Sequence, residues 1–128
     1  MRTFAIAAIM ATATTTASAQ LRDETAITEG LIAVGMAYEI SEQCDSISAR
    51  TLTGIATLFG LKNQARSLGY SSAEVDAFVD NDAEKDRLEA IAWTRLERLG
   101  VDRADRESFC RVGRARIAQG DAVGRLLR

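Results

Sequence analysis

The chain has 128 residues, 47% of them hydrophobic and 27% charged, with 2 Cys and neither Pro nor His, which bounds it to one domain and excludes collagen-like or strongly disordered composition. Basic and acidic residues number 16 and 18, net -2, so no specific nucleic acid is expected as a partner. Without imidazole, Ser-His-Asp and Cys-His catalysis are excluded, and Cys44 and Cys110 alone cannot assemble a four-Cys or Cys/His zinc site. No metal or cofactor is implied; carboxylate chemistry remains open.

Residues 1–19 read as an export signal: a charge at Arg2, an apolar run from Phe4 to Ala13, then Ala17-Ser18-Ala19 before Gln20. Cleavage is expected between Ala19 and Gln20, leaving 20–128 as a single periplasmic domain. The apolar run is about half of the ~20 residues that span a bilayer, and no later segment is long and apolar enough, so no transmembrane segment is expected in the mature chain. In an exported chain, Cys44 and Cys110 are expected to form a disulfide. A redox-active pair would show C-x-x-C spacing and a βαβ pattern, and neither is present.

The apolar spacing then predicts an all-α fold, a compact bundle of four to five helices stapled by that disulfide. In the first helix Ile27, Leu31, Val34 and Tyr38 form one stripe, widened by Ala33, Ala37, Ile40 and Cys44. Asp23 or Thr25 can cap its start. The second, roughly 48–68, carries Leu52, Ile55, Leu58, Phe59 and Leu68 and stops at Gly69. Ser71-Ser72-Ala73-Glu74 is a capping box that starts a third helix with Val75, Phe78 and Val79 on its apolar side. A fourth, from about Ala83 to Leu99 and either separate from the third or continuous with it, uses Leu88, Ile91, Ala92, Leu96 and Leu99, with Gly100 as its stop. Asp102 is expected to cap a fifth helix running to about Gln119, with Phe109, Cys110, Gly113 and Ile117 inward. Gly120-Asp121 ends it and caps a short closing piece.

Other motifs reduce to structural roles. Asp80-Asn81-Asp82-Ala83-Glu84 opens like a calcium loop, but Lys85 stands where the turn needs Gly and Ile91 where the bidentate Glu belongs. A solvated helix junction with Asp82 as cap is expected instead. Gly120 and Gly124 have the spacing of close-packed helices, but in a short polar tail. Trp93, Tyr38, Phe59, Phe78 and Phe109 are spaced as core residues, and Tyr70 as a loop anchor. Glu84 with Arg87 and Glu107 with Arg111 are placed as ordinary helical ion pairs.

Charge is unevenly spread: 5 basic and 12 acidic residues over 20–86, but 10 and 6 over 87–128. Arg111, Arg114, Arg116, Arg125 and Arg128 either neutralise the acidic half of the bundle or form a contact surface for an envelope protein or other anionic surface.

The order of features, with Leu68-Gly69-Tyr70-Ser71, Leu99-Gly100-Val101, Phe109-Cys110 and the closing Gly124-Arg125-Leu126-Leu127-Arg128, resembles an uncharacterised family of small exported alphaproteobacterial proteins, a domain of unknown function. That resemblance implies no activity. In plan alone, an exported helical chain with one long-range disulfide is similar to the Hde-type acid-stress chaperones. The residues thus point to a non-enzymatic interaction or chaperone-like binding protein; the alternative is a small envelope enzyme built on a carboxylate pair.

Overall fold

Helices begin where a side chain can replace a missing backbone partner, and the caps set the element boundaries. The computed structural model describes residues 17–128 as α1 (Ala17–Asp23), α2 (Thr25–Gln43), α3 (Thr51–Ser67), α4 (Ser72–Val79), α5 (Asp82–Arg98) and α6 (Arg106–Gln119), closed by a 3-10 turn at Gly124–Leu126. The all-α expectation holds, and α2 to α6 are the five anticipated helices. The added α1 is short, and the expected cleavage point lies within it; residues 1–16, with most of the expected signal, lie outside the described residues.

The capping box is formed as expected: Ser71 Oγ accepts from the Glu74 amide at 3.1 Å, and the Glu74 carboxylate accepts from the Ser71 amide at 2.7 Å. Three other starts differ from expectation. Asn81, not Asp82, caps α5, accepting from the Glu84 amide at 3.0 Å; Asp82 is already the first helical residue, and α4 and α5 are separate. Asp105, not Asp102, caps α6, because Asp102 is spent one turn earlier on the Ala104 amide, 2.9 Å away. Neither Asp23 nor Thr25 caps α2; Glu24 holds the cap position without a side-chain bond. The stops at Gly69, Gly100 and Gly120 are as expected, each at positive φ.

Helix α2 is the axis of the fold, packed against α1, α3, α5 and α6. Close approach occurs at small residues. Gly35 faces Ala92 of α5, and Gly113 of α6 sits so close to Ile40 and Ile47 that a Cβ there would lie within 2.7 Å of both. The main core therefore follows Ile32, Ala33, Met36, Ala37 and Ile40, with Val34 at its flank. Tyr38, expected inside, is 57% exposed, because the bundle closes on the side of the small residues and Tyr38 faces away from it. Phe109 is buried, and Trp93 meets it edge-on at 6.0 Å under the Arg103 guanidinium. Leu99 and Ile117, also expected inward, are partly exposed.

The expected disulfide joins Cys44, at the end of α2, to Cys110 on α6, with sulfurs 2.03 Å apart. The loop after Cys44 is held a second time by the chain terminus. Ser48 and Arg128 exchange backbone hydrogen bonds of 2.8 and 2.9 Å, and the Arg50 amide donates to the Leu126 carbonyl. Those bonds frame an isolated antiparallel bridge between Ala49 and Leu127.

Candidate functional site

A second, smaller cluster of Leu21, Ile27, Ala65, Val75 and Phe78 lies beside the main core, and α3 lies across it. Ala65 is the one buried residue of α3. Leu61 rests in the notch left by Gly30 on α2, where a Cβ would come within 2.5 Å of its methyl group. Tyr70 anchors the following loop as expected, donating from its hydroxyl to Glu24 Oε1 at 3.0 Å. The rest of the apolar side of α3 is left largely in solvent. Leu52 is 83% and Phe59 63% exposed, with Ile55, Leu58 and Leu68 also exposed.

This corrects the expectation that Phe59 is a core residue and that α3 faces the core like the other helices. Between α3 and the smaller cluster runs a half-open groove of about 390 Å³. Leu21, Ile27, Val75 and Phe78 form its floor, and Ile55, Leu58 and Phe59 one wall; the exposed Val79 lies at its edge. Among the described residues its one charged lining residue is Lys62, on the lip, paired with Asp76 of α4 at 2.6 Å. Such a cavity lies within the about 300–1,000 Å³ of small-molecule sites, and its walls are of the apolar kind that bury a ligand's hydrocarbon surface.

Behind the groove, Glu84 is buried and accepts from both Arg22 of α1 and Arg87. Hydrogen bonding to Arg22, reinforced by Arg87, holds its carboxyl below the usual range against the opposing effect of burial. Adjoining the groove, and sharing Leu31, Phe78 and Val79 with it, a cavity of about 530 Å³ is lined in part by Glu39, Glu84 and Glu89. Burial, then the charge of Glu89, pushes the Glu39 carboxyl up. Glu84, the one with the opposite shift, has 4% of its side chain exposed and is occupied by two arginines. No described group of three or more carboxylates or thiols is arranged to hold a metal ion.

A family model described as a family of unknown function (DUF5333) matches residues 19–128. The chain belongs to that family. No curated protein and no solved structure matches it. The matched range contains every residue of the groove and both cysteines of the disulfide.

The five arginines singled out in the C-terminal part are placed by their own neighbours. Arg111 pairs with Asp105, Arg114 with Glu107 and Arg116 with Asp121; Glu107 thus takes Arg114 in place of the expected Arg111. Arg125 donates to the Gly120 carbonyl, and Arg128 is held through its backbone. The bonds to the acidic half come instead from Arg87 to Glu84, from Arg95, bidentate to Glu29, and from Arg106 to Asp45. The Glu84–Arg87 pair is as expected, at 2.9 Å.

Sequence reasoning missed the groove because the spacing of Leu52, Ile55 and Phe59 is that of any core-facing helix. A signal was present nonetheless. No Asp or Glu occurs from residue 46 to 73, and residues 51–61 carry no charge at all, so this helix lacks the charged outer face that the other long helices have.

Proposed function

We propose that this is an exported, periplasmic, non-enzymatic binding protein whose working surface is the groove beneath α3. The observation that carries the reading is the helix that presents Leu52, Ile55 and Phe59 to solvent above a concave apolar floor; contiguous exposed apolar surface of this kind marks an interaction site. Export is supported by the signal-like residues 1–19, by a family match beginning at residue 19, and by the Cys44–Cys110 pair. Against the carboxylate-pair alternative stands Glu84: in the cavity it shares with Glu39 it is the carboxyl of opposite shift, and its oxygens are taken by arginines and are not free to act.

The neutral apolar dye nile red tests the groove. The full protein is expected to bind it with enhanced fluorescence. Ile55→Gln and Phe59→Gln together should weaken binding about tenfold, equivalent to about 1.4 kcal/mol, with an unchanged far-UV circular dichroism spectrum. Equal binding by the variant and the parent protein would remove the groove from the reading. Intact mass of the protein from its native cells should begin at Gln20; a mass retaining Met1 would refute export by cleavage.

A further inference from the structure

The walls of the groove and its lip differ in kind. Four helices supply apolar side chains to the interior, and charge enters at one edge, through Lys62. On α3, Leu52, Ile55 and Phe59 are spaced three and four apart, and Arg66 follows one turn beyond Lys62, so apolar and cationic positions succeed each other along one outward side. From residue 46 to 73 the chain carries Arg50, Lys62 and Arg66 and no carboxylate.

Resting on the binding reading above, we propose that the groove receives the hydrocarbon chain of a single-chain anionic amphiphile, with its carboxylate at Lys62 and Arg66. Charge decides against a second copy: α3 against α3 would bring Arg50 and Arg66 of each copy together with no acid on either helix, Lys62 alone being neutralised, by Asp76 of α4. Shape decides against a docked helix. A helix is a rigid cylinder about 10 Å across and would need a floor laid bare along its length, whereas Leu21, Ile27, Val75 and Phe78 are each at most 5% exposed. A flexible unbranched chain can thread the groove. Concavity decides against a bilayer, because the floor at Leu21, Ile27 and Phe78 is buried beneath α3 and beyond the reach of a flat surface.

The head group has a built-in competitor. Lys62 is already paired with Asp76, so an incoming carboxylate must displace Asp76 or share Lys62 with it, whereas Arg66 has no ion-pair partner among the described residues. Asp76 therefore tunes affinity for anions relative to that for neutral chains.

The experiment is displacement of nile red from the full protein by saturated fatty acids of about 8 to about 14 carbons, each below its micelle concentration. Affinity should rise about fourfold per methylene, the equivalent of about 0.8 kcal/mol for each buried group, until the groove is full. Lys62→Gln should weaken binding of the acid about fivefold relative to the alcohol of equal length, and Asp76→Asn should strengthen binding of the acid relative to that alcohol. Both side chains are substantially exposed, and circular dichroism checks that the variants fold. Dye bound in the groove but not displaced by any chain length overturns the amphiphile and leaves the binding reading standing. Failure of the Ile55→Gln and Phe59→Gln variant to lose dye removes both. Sedimentation with anionic phospholipid vesicles without displacement by monomeric acids, or a concentration-dependent dimer that excludes the dye, overturns the proposal in favour of a bilayer or a second copy.

Discussion

Glu84 is a carboxylate in the interior, and it is tolerated there because Arg22 and Arg87 both donate to it and the start of α5 favours negative charge. Since its pKa is lower in the folded than in the unfolded chain, the stabilisation is complete above the ordinary carboxylate value of about 4.3 and is lost as pH falls through the folded value. Glu84→Gln should cost about 1–3 kcal/mol at neutral pH. In urea titrations across pH, the gap between variant and parent should close below about pH 4; a gap independent of pH would mean that packing, not the ion pairs, is what the residue supplies. Gly124 is a second residue with a defined role. A Cβ there would overlap the Arg116 carbonyl of α6, which is backbone and cannot swing aside. Gly124→Ala should therefore cost about 3 kcal/mol or more, read from the same titration.

At the scale of the element, α3 stands apart from the other long helices. With Ala65 as its one buried residue and Leu61 lodged over Gly30, it is joined to the molecule along a narrow line. Its root is firm, tied by the disulfide and by the bonds of Ser48 and Arg50 to the terminus. Hydrogen exchange in the native state should accordingly be faster for amides of 54–62 than for those of 32–40 in α2, by at least about tenfold. Leu52→Gln should change stability by less than about 0.5 kcal/mol, since the side chain is already in solvent; a large loss would show that α3 packs more deeply than its exposure indicates.

For the whole molecule, the disulfide is the long-range constraint. It closes a loop of 66 residues, which on the chain-entropy account stabilises the fold by about 4 kcal/mol, a large share of the ~5–15 kcal/mol typical of a domain. Replacing both cysteines with Ala should lower the urea midpoint by a corresponding amount. If the midpoint barely moves, the terminal bridge and the Ile40, Ile47 and Gly113 contact hold α2 to α6 without it. The charge asymmetry along the chain is bridged by few bonds, chiefly Arg87 to Glu84, Arg95 to Glu29 and Arg106 to Asp45. The C-terminal arginines mostly bind carboxylates of their own segment, so salt should alter stability modestly.

What could be read from residues alone was what local chemistry decides. The capping box at Ser71 and Glu74, the glycine stops and the helical periods act over a few residues, and the identity of the Cys pair followed from there being two. Caps shifted wherever two candidates lay close together, as with Asn81 beside Asp82, because backbone conformation, not side-chain type, decides which residue precedes the first turn. The inward direction of a helix is a different matter, since periodicity fixes a stripe and not what covers it. Tyr38 turned outward because the bundle closes at Gly35 and Gly113. Phe59 and Leu52 stayed in solvent because helix α3 crosses α2 at Gly30 and lies above the smaller cluster without filling the space beneath it. Only the tertiary arrangement could separate an apolar stripe that is buried from one that is left open, because burial depends on where the other helices run.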